Sequence, residues 1–192
     1  MEIALFGTSA DPPTAAHREI LRWLAQNYTQ VAVWAADNPF KTRQSPLDDR
    51  LAMLQILVEE LGAENVQVWP QLGDRRSLIS LYRAQELWGT APDYHLVVGS
   101  DLVTQIPHWY RVKTLLGAVT LLIFPRPGYA LQPAQLQILQ DLGGRYQLVE
   151  IQLPAISSSH YRQSQDHSLI SPRLQNYIEK HHLYSSTHFP PV

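Results

Sequence analysis

The chain contains no cysteine, so disulfides, thiolate nucleophiles and zinc sites built on sulfur are excluded. No apolar run approaches the length needed to span a bilayer. Net charge is also scarce: 15 Lys and Arg against 17 Asp and Glu leave −2. The basic residues are scattered, so no nucleic-acid surface is expected, and an anionic ligand would need a local site. Several familiar motifs are missing. Without Gly-x-Gly-x-x-Gly after the first strand, or Gly-x-x-x-x-Gly-Lys-Ser/Thr anywhere, dinucleotide oxidoreductases and P-loop enzymes lose their main support. Without Gly-x-Ser-x-Gly an α/β-hydrolase lacks its nucleophile. The eight histidines form no His-x-x-x-His with a glutamate between, which disfavours a zinc hydrolase. No repeat or low-complexity linker is visible. The chain opens on a strand, without a basic region or a long apolar stretch, and the expectation is a cytoplasmic protein with no cleavable leader and no membrane partner.

What is present is 192 residues, 45% of them apolar, enough for one well-buried core. The chain reads as one domain over 1–184, followed by a flexible tail over 185–192. Its organising stretch runs from Phe6 to His17: the apolar run Ile3 to Phe6 ends at Gly7, and an amphipathic helix starts near Thr14 with His17 in its first turns. Such a loop gathers backbone N–H groups beside a helix N-terminus, a place for phosphate.

The remaining chain alternates strands and helices. Strands are expected at Val31–Ala35, Val66–Trp69, Tyr94–Gly99, Val119–Phe124 and Tyr146–Ile151. Helices are expected near 47–61, with Leu51, Leu54, Leu57, Val58 and Leu61 inward, and near 77–88, 134–142, from Ser158, and from Pro172 toward Tyr184. The pattern predicts a doubly wound α/β fold, mainly parallel, with helices on both faces.

Several residues admit two readings. Lys41, past the second strand, is either a solvated loop lysine or a ligand contact at the sheet edge where open parallel sheets bind. Asp101 either caps a helix or meets a ribose hydroxyl or a metal. Trp109 is either packing or a stacking platform for a flat ring. Ser157, Ser158 and Ser159 read as N-caps, and Arg162 as a surface residue one turn on. His181 and His182 read as exposed.

Five separated stretches, taken in order, resemble the nicotinate mononucleotide adenylyltransferase family. The opening loop is similar to its Gly-Gly-Thr-Phe-Asp-Pro-x-His-x-Gly-His signature, matched at Gly7, Ser9, Asp11, Pro12, Thr14 and His17. Asn38-Pro39-Phe40-Lys41 resembles its triphosphate loop, Gly99-Ser100-Asp101 with Trp109 its Gly-x-Asp and downstream tryptophan, Arg126-Pro127-Gly128 its Arg-Pro-Gly, and Ile156-Ser157-Ser158-Ser159 with Arg162 its Ile-Ser-Ser-Thr-x-x-Arg. The resemblance implies a Rossmann-like nucleotidyltransferase fold and an enzyme that transfers AMP from ATP to nicotinate or nicotinamide mononucleotide, releasing pyrophosphate. By that likeness Thr14 and His17 meet the α- and β-phosphates on loop amides from Gly7, Thr8 and Ser9. Lys41 and Arg162 hold the β- and γ-phosphates, helped by Ile156 to Ser159. Gly99 and Asp101 take the adenosine, Trp109 stacks on the pyridine, and Mg²⁺ arrives with ATP, bound through phosphate oxygens and water.

The chain departs from the signature at Thr8, Ala10 and Ala16, which replace Gly, Phe and Gly, and at Ser159, which replaces Thr. Arg76-Ser77-Leu78-Ile79-Ser80 is a poor copy of the Ser-Tyr-Thr that receives the nicotinate carboxylate. A nucleotide-binding relative without turnover, and an adenylyltransferase for a pantetheine or flavin phosphate, therefore stay open, as does homo-oligomer formation.

Overall fold

The computed structural model describes residues 1–36 and 44–184. Six strands, β1 (Glu2–Thr8), β2 (Gln30–Ala35), β3 (Val66–Val68), β4 (Asp93–Gly99), β5 (Thr120–Phe124) and β6 (Arg145–Leu148), form one sheet in the order β3-β2-β1-β4-β5-β6. Every pairing is parallel. The strand order reverses between β1 and β4, and ligands of open α/β sheets bind in the crevice at such a switch point.

Among the described residues seven α-helices, α1 (Ala15–Asn27), α2 (Leu47–Leu61), α3 (Ser77–Trp88), α4 (Val112–Ala118), α5 (Pro133–Asp141), α6 (Ser158–Ser164) and α7 (Pro172–Lys180), accompany the sheet. The two-residue period of the strands sends alternate side chains to opposite faces. Ile3, Leu5, Leu96, Val98, Leu121 and Ile123 pack with Leu78 and Leu81 of α3, Leu115 of α4 and Leu139 of α5. Ala4, Phe6, Val97, Leu122 and Phe124 pack with Leu21 and Leu24 of α1 and Leu54 and Leu57 of α2. Coverage on both faces explains why these strands read as continuous apolar runs. A third cluster joins Met53 of α2 to Tyr161 of α6, Leu174 and Ile178 of α7, and Tyr184.

The α2 helix carries Asp48 and Asp49 in its first turn and ends on Gly62 in the left-handed region at φ 66°, where glycine is the least strained residue. Its inward face carries the expected residues, Leu54, Leu57 and Val58 buried with Leu51 and Leu61 packed against them, and Arg50 and Met53 are buried as well. Arg50 donates through Nε to the Ser45 carbonyl at 3.0 Å and through Nη1 to the Ala36 carbonyl at 2.9 Å, so backbone oxygens beside the sheet edge satisfy a charge that patterning places outside. The last strand stops at Leu148, and the last helix at Lys180. His181 and His182 are exposed. Lys41 and the tail expected over 185–192 lie outside the described residues.

Candidate active site

The organising loop leaves β1 at Thr8 and enters α1 through Thr14, its N-cap. The Thr14 backbone N–H donates to His17 Nδ1 at 3.1 Å, and the Thr14 hydroxyl lies 3.0 Å from the same nitrogen. A backbone N–H can only donate, so Nδ1 is an acceptor and the neutral ring carries its proton on Nε2. Nε2 points at Thr8 Oγ1, 3.1 Å away. Ala10 sits between these residues at φ 43°, a left-handed conformation that a side chain makes costly, and is buried.

The loop is clamped from distant parts of the chain. Asp11 is 1% exposed, and its carboxylate accepts from the Tyr184 hydroxyl at 2.6 Å and from the Ser45 N–H at 3.2 Å. Burial first, and the Asp11 charge second, push the Tyr184 phenol far above its ordinary range. Arg162 Nη1 donates to the Asp11 carbonyl, and Nη2 donates to Ser159 Oγ at 3.2 Å. The Ser158 hydroxyl donates to the Pro12 carbonyl at 2.8 Å. Ser157 is the N-cap of α6, accepting from the His160 N–H at 3.1 Å.

A cleft of about 510 Å³ opens over the carboxyl ends of β1 and β4. Of the residues singled out in the sequence, Gly7, Thr8, Ser9 and His17 line one wall, Gly99, Asp101 and Trp109 another, and Ile156 with Ser157, Ser158 and Ser159 a third. Thr14 stands behind His17, and Arg162 reaches the cleft only through its bond to Ser159. Two glycines have steric reasons. A Cβ on Gly7 would fall 2.7 Å from the Trp34 indole, and one on Gly99 would fall 2.4 Å from Asp101 Oδ1. The Asp101 carboxylate pairs through Oδ2 with Arg126 Nη1 at 2.8 Å, while Oδ1 is buried without a hydrogen-bond partner. Asp101 makes no side-chain cap.

Three further side chains line the same cleft, two of them, Arg76 and Ser80, in the stretch that copies Ser-Tyr-Thr poorly. Arg126 was visible as part of Arg-Pro-Gly, but its pairing with Asp101 was not. Arg76 is the N-cap of α3, whose first turn has no side-chain cap and no acid. Its guanidinium lies 4.7 Å above the Tyr110 ring, next to Trp109, and forms no ion pair among the described residues. One turn further into α3, the Ser80 hydroxyl is buried without a partner. This end of the cleft thus combines an aromatic face, an exposed cation over it, an uncapped helix start and a spare hydroxyl, an environment for a flat anionic group.

The Cytidylyltransferase-like family model matches residues 5–164. A Synechocystis sp. protein named "Probable nicotinate-nucleotide adenylyltransferase" is 58% identical over 198 residues, covering 96% of this chain and 99% of that one. The chain belongs to the nicotinate-nucleotide adenylyltransferase family. A family member of the same name from Bacillus cytotoxicus is 27% identical, again with 96% and 99% coverage. The fold is shared with Plasmodium falciparum nicotinic acid mononucleotide adenylyltransferase in two solved complexes. The complex with NaAD has a TM-score of 0.81 at 21% identity, covering 95% of this chain and 97% of that one. The complex with APC has a TM-score of 0.78 at 22% identity, with 95% and 96% coverage. As in the sequence, Thr8, Ala10 and Ala16 set this loop apart from the family signature: Thr8 places a hydroxyl on His17, Ala10 fills a buried left-handed position, and Ala16 lines the cleft. No helix among the described residues is long and apolar enough to cross a membrane.

Proposed function

We propose that this chain transfers AMP from ATP to nicotinate mononucleotide, giving the dinucleotide and pyrophosphate, with residues 1–184 acting as one catalytic domain in the cytoplasm. The observation that carries the reading is the full-length match to a nicotinate-nucleotide adenylyltransferase at 58% identity. An oxygen of the mononucleotide phosphate attacks the α-phosphorus of ATP, a new P–O bond forms, and the bond to the departing pyrophosphate breaks. The reaction needs alignment and charge stabilisation and no protein nucleophile.

The phosphate loop from Gly7 to Ser9, with Thr14 and His17 at its back, receives the α- and β-phosphates. Lys41 holds the β- and γ-phosphates, and Arg162 adds its charge from behind Ser159. The unpartnered Oδ1 of Asp101 accepts from a ribose hydroxyl, beside the bare backbone of Gly99. Mg²⁺ enters as part of the ATP substrate, on phosphate oxygens and water. Bound there, it would neutralise charge on the leaving pyrophosphate.

Trp109 offers a face to the pyridine ring, and Arg76 offers its charge to the ring carboxylate. That charge favours nicotinate over nicotinamide mononucleotide. A pantetheine phosphate would give Trp109 no ring and Arg76 no anion. Purified protein with ATP, Mg²⁺ and nicotinate mononucleotide is expected to release pyrophosphate, and His17→Ala to lose on the order of a hundredfold in kcat. Retained ATP binding without turnover in the wild type would instead establish a nucleotide-binding relative.

A further inference from the structure

In the reading above, Thr8 serves through its backbone; its side chain supports a further step. The hydrogen bonds that end on it have a fixed direction. The Thr14 N–H donates to His17 Nδ1, which leaves the ring proton on Nε2, and that proton is donated to Thr8 Oγ1 at 3.1 Å. Having accepted there, the Thr8 hydroxyl still carries its own hydrogen. No acceptor for it exists among the described residues, and Thr8 lines the cleft. The chain of donors therefore runs from backbone through imidazole to hydroxyl and ends in one proton facing the ligand.

We propose that Thr8 is the catalytic residue that donates to the α-phosphate in the transition state, with His17 the positioning residue behind it. This rests on the adenylyl-transfer reading. With glycine at this position the imidazole would face the phosphate unscreened; here the threonine hydroxyl occupies that approach and relays the bond. Charge building on the α-phosphate oxygens polarises the whole chain of bonds, so each link strengthens the next.

Three substitutions at Thr8 separate this role from a structural one. Thr8→Val keeps the volume, removes the terminal donor and sets a methyl against His17 Nε2. Thr8→Ser returns a hydroxyl. Thr8→Gly deletes the relay and lets Nε2–H reach the phosphate directly. At saturating ATP and nicotinate mononucleotide, kcat is expected to fall on the order of a hundredfold in the valine variant. Serine is expected to recover at least about tenfold of that loss, and glycine to lie above valine. A structural role predicts the reverse rank, because glycine loses more packing and more backbone entropy at a strand end. Valine within threefold of wild type, or glycine below valine at matched melting temperature, overturns the proposal. Two readouts do not need turnover. Nitrogen-15 spectra of labelled histidine in the free protein should show His17 protonated on Nε2, and a non-hydrolysable ATP analogue should bind more weakly to the valine variant than to the serine one. An Nδ1–H tautomer, or equal affinities, sinks the role of Thr8. A wild type with the expected tautomer and affinities but no pyrophosphate release sinks the adenylyl-transfer reading instead.

Discussion

Tyr184→Phe removes one oxygen from a ring that is otherwise fully packed. Tyr184 is 4% exposed, its ring meets Tyr161 edge-on at 6.0 Å, and its hydroxyl donates to Asp11 Oδ1 at 2.6 Å. The acceptor is a buried carboxylate whose other oxygen keeps the Ser45 N–H at 3.2 Å. Losing a hydrogen bond to a charged buried group costs about 2–3 kcal/mol. At roughly 2–4 °C per kcal/mol for a chain of this size, the melting temperature should drop by roughly 4–12 °C at pH 7. The alkaline limb carries a second signature. Burial and the Asp11 charge raise the folded-state pKa of Tyr184, so above about pH 10 the unfolded chain gives up a proton that the native state keeps. The stability contributed by this hydroxyl is therefore complete below about pH 10 and declines as pH rises further. Tyr28 and Tyr177, both raised to about 12, titrate equally in both proteins. Melts at pH 7 to 11 should show the gap between wild type and Tyr184→Phe narrowing above pH 10. A variant within 1 °C of wild type at pH 7, or a gap that widens with pH, would refute the reasoning. Because Asp11 anchors the phosphate loop, the KM for ATP should rise in the same variant.

Gly99→Ala sets a methyl 2.4 Å from Asp101 Oδ1; the carboxylate is a movable end, so the fold should hold while the displaced acceptor raises the KM for ATP several-fold. An unchanged KM would remove Asp101 from ribose binding. Arg76→Met keeps the apolar stem over Tyr110 and deletes the charge. Arg76 is exposed, which leaves the lost interaction with a carboxylate worth up to about 1 kcal/mol, roughly fivefold in the KM for nicotinate mononucleotide, with little change for nicotinamide mononucleotide. An equal rise for both acceptors would contradict a carboxylate contact.

The fold was legible because burial on both sheet faces writes itself as local period and punctuation: α2 and α3 begin and end where the sequence pattern places them, at Leu47–Leu61 and Ser77–Trp88. The loop from Gly7 to His17 was legible for the same reason, a strand stop next to a helix start. What stayed hidden depends on residues far apart in sequence. Nothing near Asp11 announces Tyr184, nor does anything near Arg76 announce Tyr110, because those contacts exist only once α7 and α4 are packed. The burial of Arg50 was not legible either, because it donates to the carbonyls of Ala36 and Ser45, groups with no signature in the side-chain pattern. The direction of the hydrogen bonds through His17 likewise follows from a backbone N–H and from coordinates.

Steady-state pyrophosphate release with ATP and Mg²⁺, measured side by side for nicotinate mononucleotide, nicotinamide mononucleotide, pantetheine phosphate and flavin mononucleotide, tests the central claim most directly. Turnover is expected with nicotinate mononucleotide, with a kcat/KM roughly two- to fivefold above that for the amide, the factor of one exposed charge contact. Faster turnover of the amide, or of either non-pyridine phosphate, would contradict it.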